Sequence, residues 1–365
     1  MNNHTLPTSS PSITNRLKLH PEAEDHHHHH QSLLPGLPDH IAQLCLSLVP
    51  PSTLSAVCRS WRRLIYSPAF PPFLSLYAIF LTTETQPLHL SDSILFSSFD
   101  PISSKWLPLP PPPPEPPLRL VVRHPSFISW KLPIQSVAVS GNLVLIAATA
   151  NQFLPALSQP LVFNPLFRTW AHGPPLSAPR RWCAAGTWRG VVYVASGVGS
   201  HYDTDVARSV EKWDLNIQHH RRRRWRWEKM AELRDGKFSR EAIDAVGWKG
   251  KLCMMPQGML AGWKGPAAAM AEEVIYMVDE SRGLLKKYDH VKDTWVEVAD
   301  NVMLKGAQQA VAVGGKVCVL CADGRSIAVV DVAATPPARV WMVEAPPGLQ
   351  AVGIHVLPRL SHSDI

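Results

Sequence analysis

Three places along the chain bring together residue types that could do chemistry. Cys318 and Cys321 have the C-x-x-C spacing of a metal or redox pair. They lie in the apolar run VCVLC, and residues three apart on a strand point to opposite faces of the sheet, so a core role is expected instead. The five consecutive histidines His26 to His30 could chelate a metal ion, but nothing around them supplies a fixed geometry or further ligands. The remaining histidines, among them His40, His172, His201, His290 and His355, are scattered, with no close spacing to carboxylates or cysteines. The Gly-rich turn SGVGSH around Gly197 follows a strand-like run, but no helix follows it to cradle a phosphate. Hydrolase motifs that set a serine between glycines are missing. No catalytic, cofactor-binding or metal residue is assigned, and the chain is not expected to be an enzyme.

The third place is HHRRRRWRW, His219 to Trp227. Of the formal net charge of +7, Arg221, Arg222, Arg223, Arg224 and Arg226 carry five, so the basicity is one local run rather than a field over the whole surface. Arginines interleaved with indoles can stack on bases. Here the run reads as a loop entering a strand, so Trp225 and Trp227 are expected to serve the fold. Arg221 to Arg224 are then a solvated loop, a nuclear-import signal or a contact for an acidic partner. Nucleic acid is not an expected partner.

A chain of 365 residues with 45% hydrophobic content exceeds one typical domain and can bury a large core. No apolar run reaches the roughly 18 residues of a membrane span; Val137 to Ala150 is broken by Ser140, Gly141 and Asn142. The N-terminus MNNHTLPTSSPS has no charged region followed by an apolar one, and six scattered cysteines do not make a disulfide framework. Cytoplasmic or nuclear localisation is expected, with no membrane contact.

Four segments follow from composition: a polar, disordered tail over 1–32, a helical module over 33–76, a β-rich unit over 77–358 and a short tail over 359–365. In the helical module, Ile41, Leu44, Cys45 and Leu48 recur at helical spacing after Asp39, which can cap the helix start; Pro50 and Pro51 end it. A second helix, capped by Ser52 or Thr53, carries Leu54, Val57, Cys58, Trp61, Leu64 and Ile65 on one face and Arg59, Arg62 and Arg63 on the other. So small a unit cannot bury all of that apolar surface by itself, so a partner is expected to cover it.

The β-rich unit repeats a phrase in which an apolar residue and an Asp or Asn precede a Trp: Phe99-Asp100 to Trp106, Phe163-Asn164 to Trp170 and Tyr288-Asp289 to Trp295. Looser copies run from Trp213-Asp214 to Trp225 or Trp227 and from Val330-Asp331 to Trp341. Hairpins with a glycine turn precede the later copies, as in VAVS-GN-LVLIAA, AGTW-RG-VVYVAS, AVGW-KG-KLCMM and VAVG-GK-VCVLC. Units of four strands at this spacing build a radial β-propeller of about five blades, in which each Trp is expected to serve a blade's core or the packing of one blade on the next. The last run, GLQAVGIHVLP, has no blade of its own and is expected to pair with the N-terminal strands and close the ring. Pro108 to Pro117, broken only by Leu109 and Glu115, reads as an exposed polyproline connection.

The stretch LPDHIAQLCLSLVPPSTLSAVCRSWRRLI resembles an F-box, matching Leu-Pro-acidic with Leu37, Pro38 and Asp39 and the later pattern with Val57, Cys58, Arg59, Trp61 and Arg62. The repeats are similar to kelch repeats, although most lack the double glycine after the second strand. The combination resembles the plant F-box/kelch-repeat proteins, particularly the Skp-adaptor-interacting members. That resemblance implies a non-catalytic substrate receptor of a cullin-based ubiquitin ligase, whose F-box binds the Skp adaptor, and through it a cullin, while the propeller holds a target protein. It places adaptor contacts at Leu37, Pro38, Ile41, Leu44, Leu48, Leu54, Val57 and Trp61. A kelch scaffold without a ligase role is the alternative. The long loops Val198 to Ser209, Asn216 to Arg224 and Gln257 to Ala271 are expected to share one face of the ring and carry the target site.

Overall fold

The computed structural model describes residues 32–49, 51–67, 70, 73–82, 94–115, 118, 135–147, 149–151, 154–155, 157–201, 203–216, 225–234, 244–255, 264–334 and 338–360. The tail over 1–31, His26 to His30 and Arg221 to Arg224 lie outside them. Among the described residues no helix is long and apolar enough to cross a membrane.

Three short helices open the chain: α1 (Asp39–Ser47), α2 (Pro51–Val57) and α3 (Arg59–Tyr66). The second expected helix is therefore two. Cys58 breaks it with an extended backbone (φ −157°, ψ 168°) and caps α3, its sulfur accepting the Trp61 N–H at 3.4 Å. Asp39 does not cap α1. Pro38, fixed at φ −58°, holds that position, and the Asp39 carboxylate accepts the Leu33 N–H at 3.2 Å.

Blade one holds β1 (Leu74–Thr82), β2 (Ile94–Asp100) and β3 (Lys105–Pro108), and its innermost strand is the C-terminal run Leu349–Pro358. Blade two holds β4 (Gln135–Val139), β5 (Asn142–Ala147), β8 (Leu161–Asn164) and β9 (Thr169–His172), with the small hairpin β6 (Thr149–Asn151) and β7 (Leu154–Pro155) inserted after its second strand. Blade three is β10 (Ala184–Trp188), β11 (Val191–Ala195), β12 (Val210–Asp214) and β13 (Glu228–Lys229), with helix α4 (Thr204–Arg208) between β11 and β12. A two-stranded sheet follows, β14 (Asp244–Trp248) and β15 (Lys251–Met255). Blade four is β16 (Ala267–Met270), β17 (Val274–Asp279), β18 (Leu284–Asp289) and β19 (Thr294–Asp300). Blade five is β20 (Gln309–Val313), β21 (Lys316–Leu320), β22 (Ser326–Asp331) and β23 (Arg339–Glu344), and the chain ends in β24 (Leu349–Pro358).

Among the described residues five four-stranded blades are formed, the expected number. The hairpin AVGW-KG-KLCMM, however, is not the start of the repeat that ends in Trp295. Blade four has inner strands of its own, and the hairpin occupies a separate position between blades three and four, which accounts for the long interval between Trp227 and Trp295. β24 pairs antiparallel with β1 from Leu74 opposite Pro358 to Thr82 opposite Leu349, so the two ends of the chain close the ring as expected. That pairing starts the propeller at Leu74, three residues before the expected boundary. It also extends order past 358, since Arg359 and Leu360 are buried and the Arg359 N–H bonds the Phe73 carbonyl at 2.8 Å.

Apolar cores lie between neighbouring sheets rather than at the centre. Alternation along β21 illustrates why: Val317 and Val319 face blade four, whereas Cys318 and Leu320 face blade one. Cys321 returns to the blade-four side, so the two thiols of C-x-x-C belong to different cores. Burial pushes the Cys318 thiol up to about 12.

Each repeated Trp phrase is an outer hairpin. Phe99 pairs with Trp106, Phe163 with Trp170 and Tyr288 with Trp295. The Asp or Asn folds the turn by accepting the next backbone N–H groups: Asp100 from Ile102 (3.1 Å) and Ser103 (3.2 Å), Asn164 from Leu166 (2.9 Å) and Phe167 (3.1 Å), Asp289 from Val291 (3.0 Å) and Lys292 (3.2 Å). In the last copy Trp341 pairs with Val329, one residue out of step, and like Trp225 it is exposed, where Trp106, Trp170, Trp227 and Trp295 are covered.

Three of the indoles also reach the preceding blade. Trp106 donates to Glu344 O at 2.7 Å, Trp170 to Pro110 O at 2.8 Å and Trp227 to Pro174 O at 3.0 Å. The polyproline connection is accordingly not freely exposed. Leu109 is buried in the core between blades one and two, and Pro110 is a docking point for the next blade.

Candidate functional site

Four buried residues, Leu46, Leu54, Ile65 and Phe70, form the core of the helical module, with Leu34, Val49, Trp61 and Leu64 packed around them. Ile102, from the outer turn of blade one, joins that cluster and seats the module on the propeller. On α1 the inward residues are Ala42 and Leu46, four apart. Ile41, Leu44 and Leu48 occupy the other side of the same helix and are exposed, Leu44 at 57% and Leu48 at 87%. Leu37, Pro38 and Val57 (56%) are exposed as well. The module thus closes its own core and still presents a second apolar face to solvent, an arrangement suited to docking another protein.

Two of the eight expected contact residues fall elsewhere. Leu54 is 1% exposed and belongs to the module's core, because α2 turns it toward Leu46 and Ile65. Trp61 is half-buried, and its indole N–H donates to Leu33 O at 3.1 Å, tying the entering chain to α3. Helical spacing cannot separate these two from the outward residues of the helices, since Ile41, Leu44, Leu48 and Val57 are equally apolar and recur at helical spacing too. Beside the face, Arg59, Arg62 and Arg63 are exposed; the Arg62 guanidinium bonds Ser55 O at 3.0 and 2.8 Å. Hydrogen bonds with Ser60 and the Trp61 N–H hold the Cys58 thiol below its usual pKa.

At the centre of the ring is a channel of ≈ 290 Å³ lined by β4, β10, β14, β16, β20 and β24. Its walls are small residues such as Ala138, Ala185, Gly186, Gly247 and Ala268, because six strands converge there. A Cβ on Gly247 would sit 1.9 Å from Thr187 O. The polar groups include His355, whose Nε2 is 2.9 Å from Ser136 Oγ; burial lowers this imidazole to about 4. Among the described residues no group of three His, Cys, Asp or Glu is placed to hold a metal ion.

Two of the three expected target loops do not share a face, and residues 257–263 of the third, Gln257 to Ala271, lie outside the described residues. Successive antiparallel strands reverse direction, so Val198 to Ser209, joining β11 to β12, and Asn216 to Arg224, joining β12 to β13, leave blade three at opposite ends. The turn carrying Ile102 joins the third and fourth strands of blade one, so the helical module sits on the face of Asn216, opposite α4.

Four-stranded blades closed by the chain's own end, carrying a helical module with a solvent-facing apolar surface, define a β-propeller protein with an N-terminal helical module. No protein-family model matches the sequence. The F-box/kelch-repeat protein SKIP25 of Arabidopsis thaliana is 50% identical over 359 residues, 90% of each chain. The F-box/kelch-repeat protein SKIP4 of the same plant is 22% identical over 328 residues, 82% of this chain and 85% of its own. The solved structure of YjhT covers 68% of this chain and 90% of its own, with a TM-score of 0.42 and 11% identity. The chain belongs to the F-box/kelch-repeat family.

Proposed function

We propose that the protein is a non-catalytic substrate receptor of a cullin-based ubiquitin ligase: the F-box binds the Skp adaptor, which links it to the cullin, and the propeller holds the target. The observation that carries this reading is the outward face of Leu37, Ile41, Leu44, Leu48 and Val57, exposed on a module whose core is already filled by other residues. The target surface is assigned to the face opposite the F-box, where α4 and the connection Val198 to Ser209 lie, so that adaptor and target do not compete for space. All six cysteines are free, which suits the reducing cytoplasm or nucleus as the site of action.

Calorimetric titration of the full chain with purified Skp adaptor tests the reading. Covering a largely exposed leucine is worth about 1.5–3 kcal/mol, so Leu44→Asp and Leu48→Asp are each expected to weaken binding by roughly tenfold or more without lowering the melting temperature. A folded wild-type chain that does not bind the adaptor would leave a kelch scaffold without a ligase role.

A further inference from the structure

Four of the inner hairpins close in a two-residue turn whose first residue has left-handed backbone: Ser140-Gly141, Arg189-Gly190, Lys249-Gly250 and Gly314-Gly315, with φ of 46°, 48°, 45° and 57° at the first position. Glycine or asparagine suits that backbone best, and the small Ser140 and Gly314 hold it in blades two and five. The turn itself therefore does not select a long cation. Two neighbouring turns nevertheless carry one, each directly after a tryptophan: Trp188-Arg189-Gly190 and Trp248-Lys249-Gly250.

In both turns the cation lies back over its indole. Arg189 Cζ is 4.9 Å from the ring centre of Trp188, and Lys249 Nζ is 5.3 Å from that of Trp248. The two units touch, since a Cβ on Gly250 would sit 3.5 Å from Trp188 Cζ2. Lys251 follows directly. Arg189, Lys249 and Lys251 are all exposed, and none has a carboxylate within ion-pair distance among the described residues. Of the carboxylates nearby, Glu272 accepts the Arg189 N–H at 2.5 Å and Asp214 the Asn216 N–H at 2.9 Å, so both are engaged within the fold; Glu273 is exposed. The patch lies on the face of the helical module, because Asn216, which leaves blade three on that face, donates from Nδ2 to Arg189 O at 3.0 Å. The basic run Arg221 to Arg224 is joined to the same face through Asn216.

Cations beside indoles could also hold nucleic acid, by stacking bases on the rings. Here the rings are engaged. Trp188 lies between its own arginine and the backbone of Gly250, and a Cβ on Gly247 would sit 3.3 Å from Trp188 Cβ. Trp248 carries Lys249 on one side, meets Tyr288 edge-on at 5.9 Å and donates its indole N–H to Glu273 O at 2.9 Å. What remains for a partner is three charged heads whose stems rest on apolar rings, an arrangement suited to carboxylates.

We propose that Arg189, Lys249 and Lys251 form a docking site for an acidic polypeptide segment on the F-box side of the ring. The carboxylates of the segment pair with the three cations, and Arg189 and Lys249, already held over indoles, lose less freedom on binding than loose side chains do. The site is separate from the outward apolar face of the helical module and from the target surface assigned to the opposite side. It does not depend on the receptor reading.

The probe is the fluorescein-labelled peptide Gly-Glu-Asp-Glu-Gly-Glu-Asp-Glu, titrated with the full chain by fluorescence anisotropy, with Gly-Gln-Asn-Gln-Gly-Gln-Asn-Gln as the control. The variant is Arg189→Asn with Lys249→Asn and Lys251→Gln: asparagine adopts the left-handed turn backbone readily and Lys251 is exposed, so the hairpins are kept while three charges are removed. Saturable binding of the acidic peptide alone, weakening as salt is raised and at least about tenfold weaker in the variant at an unchanged melting temperature, is the expected result. The charge-retaining variant Arg189→Lys with Lys249→Arg should still bind. Equal binding to wild type and the triple variant overturns the proposal, as does an absence of binding. Binding that survives the triple variant but is lost when Arg221 to Arg224 are replaced by alanine overturns it in favour of the basic run. Tighter binding of a single-stranded oligothymidylate of the same charge, lost in the triple variant, overturns it in favour of nucleic acid. None of these outcomes bears on adaptor binding, which the calorimetric titration reads separately.

Discussion

Lowering the pH should destabilise the closed ring through His355. This residue lies on β24, the strand that joins the chain's end to its beginning, and is 3% exposed. Its pKa falls from the ordinary 6.5 to about 4 because burial disfavours the charged imidazolium. The neutral ring keeps its hydrogen bond with Ser136. Below pH 6.5 the unfolded chain takes up a proton that the folded chain refuses until about pH 4, so folding stability drops as the pH falls through that window. Linkage between those two values gives a loss of about 2 kcal/mol from pH 7 to pH 5 and about 3 kcal/mol by pH 4. Urea denaturation of the full chain at half-unit intervals from pH 7 to pH 4.5, repeated on His355→Gln, reads this directly. Glutamine keeps a hydrogen-bonding side chain but does not titrate, so the variant should lack that part of the slope while sharing the contribution of the carboxylates. Equal slopes in the two proteins would refute the reasoning, because they would mean that the imidazole gains its proton inside the ring at no cost.

Leu54→Ala should cost about 2–5 kcal/mol and expose the helical module to limited proteolysis, whereas Leu48→Ala should change stability by less than about 0.5 kcal/mol; the reverse order would mean that core and docking face are exchanged. Glu211→Ala strands the buried Arg180 guanidinium, which also bonds Ser196 O at 3.3 Å, and should lower stability by about 3–5 kcal/mol in thermal melts. Joint replacement with Arg180→Met and Glu211→Leu should recover most of that loss. Trp170→Phe removes the bond to Pro110 O and should destabilise the ring by about 1–2 kcal/mol with target capture unchanged. Weakened capture at unchanged stability would instead make Trp170 a binding residue.

The candidate site was partly legible. Helical spacing found Ile41, Leu44, Leu48 and Val57 of the outward face, because docking faces and cores use the same apolar types, while Leu37 and Pro38 came from the F-box pattern. Position decided the rest: Leu54 and Trp61 have the right chemistry and period but sit on the inner side of helices whose relative rotation depends on the break at Cys58. Ile102 gave no signal at all, being one apolar residue in a turn more than thirty residues beyond the helices.

Local chemistry determined the repeat unit. An Asp or Asn that folds its own turn, a Trp opposite an aromatic residue and glycine-bearing turns between apolar strands are short-range features, and they specify four-stranded blades and a helical segment before any packing occurs. Closure of the ring was also written in the sequence, since a strand left over at one end and a missing inner strand at the other require each other. Only the tertiary structure decided that β14–β15 stands apart from the blade that follows it. Its residues read as an ordinary first hairpin, and what assigns it a place of its own is that AAAM and VIYMVD already fill the inner positions of the next blade. The same holds for the two faces of the ring. Loop length is visible along the chain, but which end of a blade a loop leaves from depends on strand direction, and that is fixed only when the sheets are assembled around the channel.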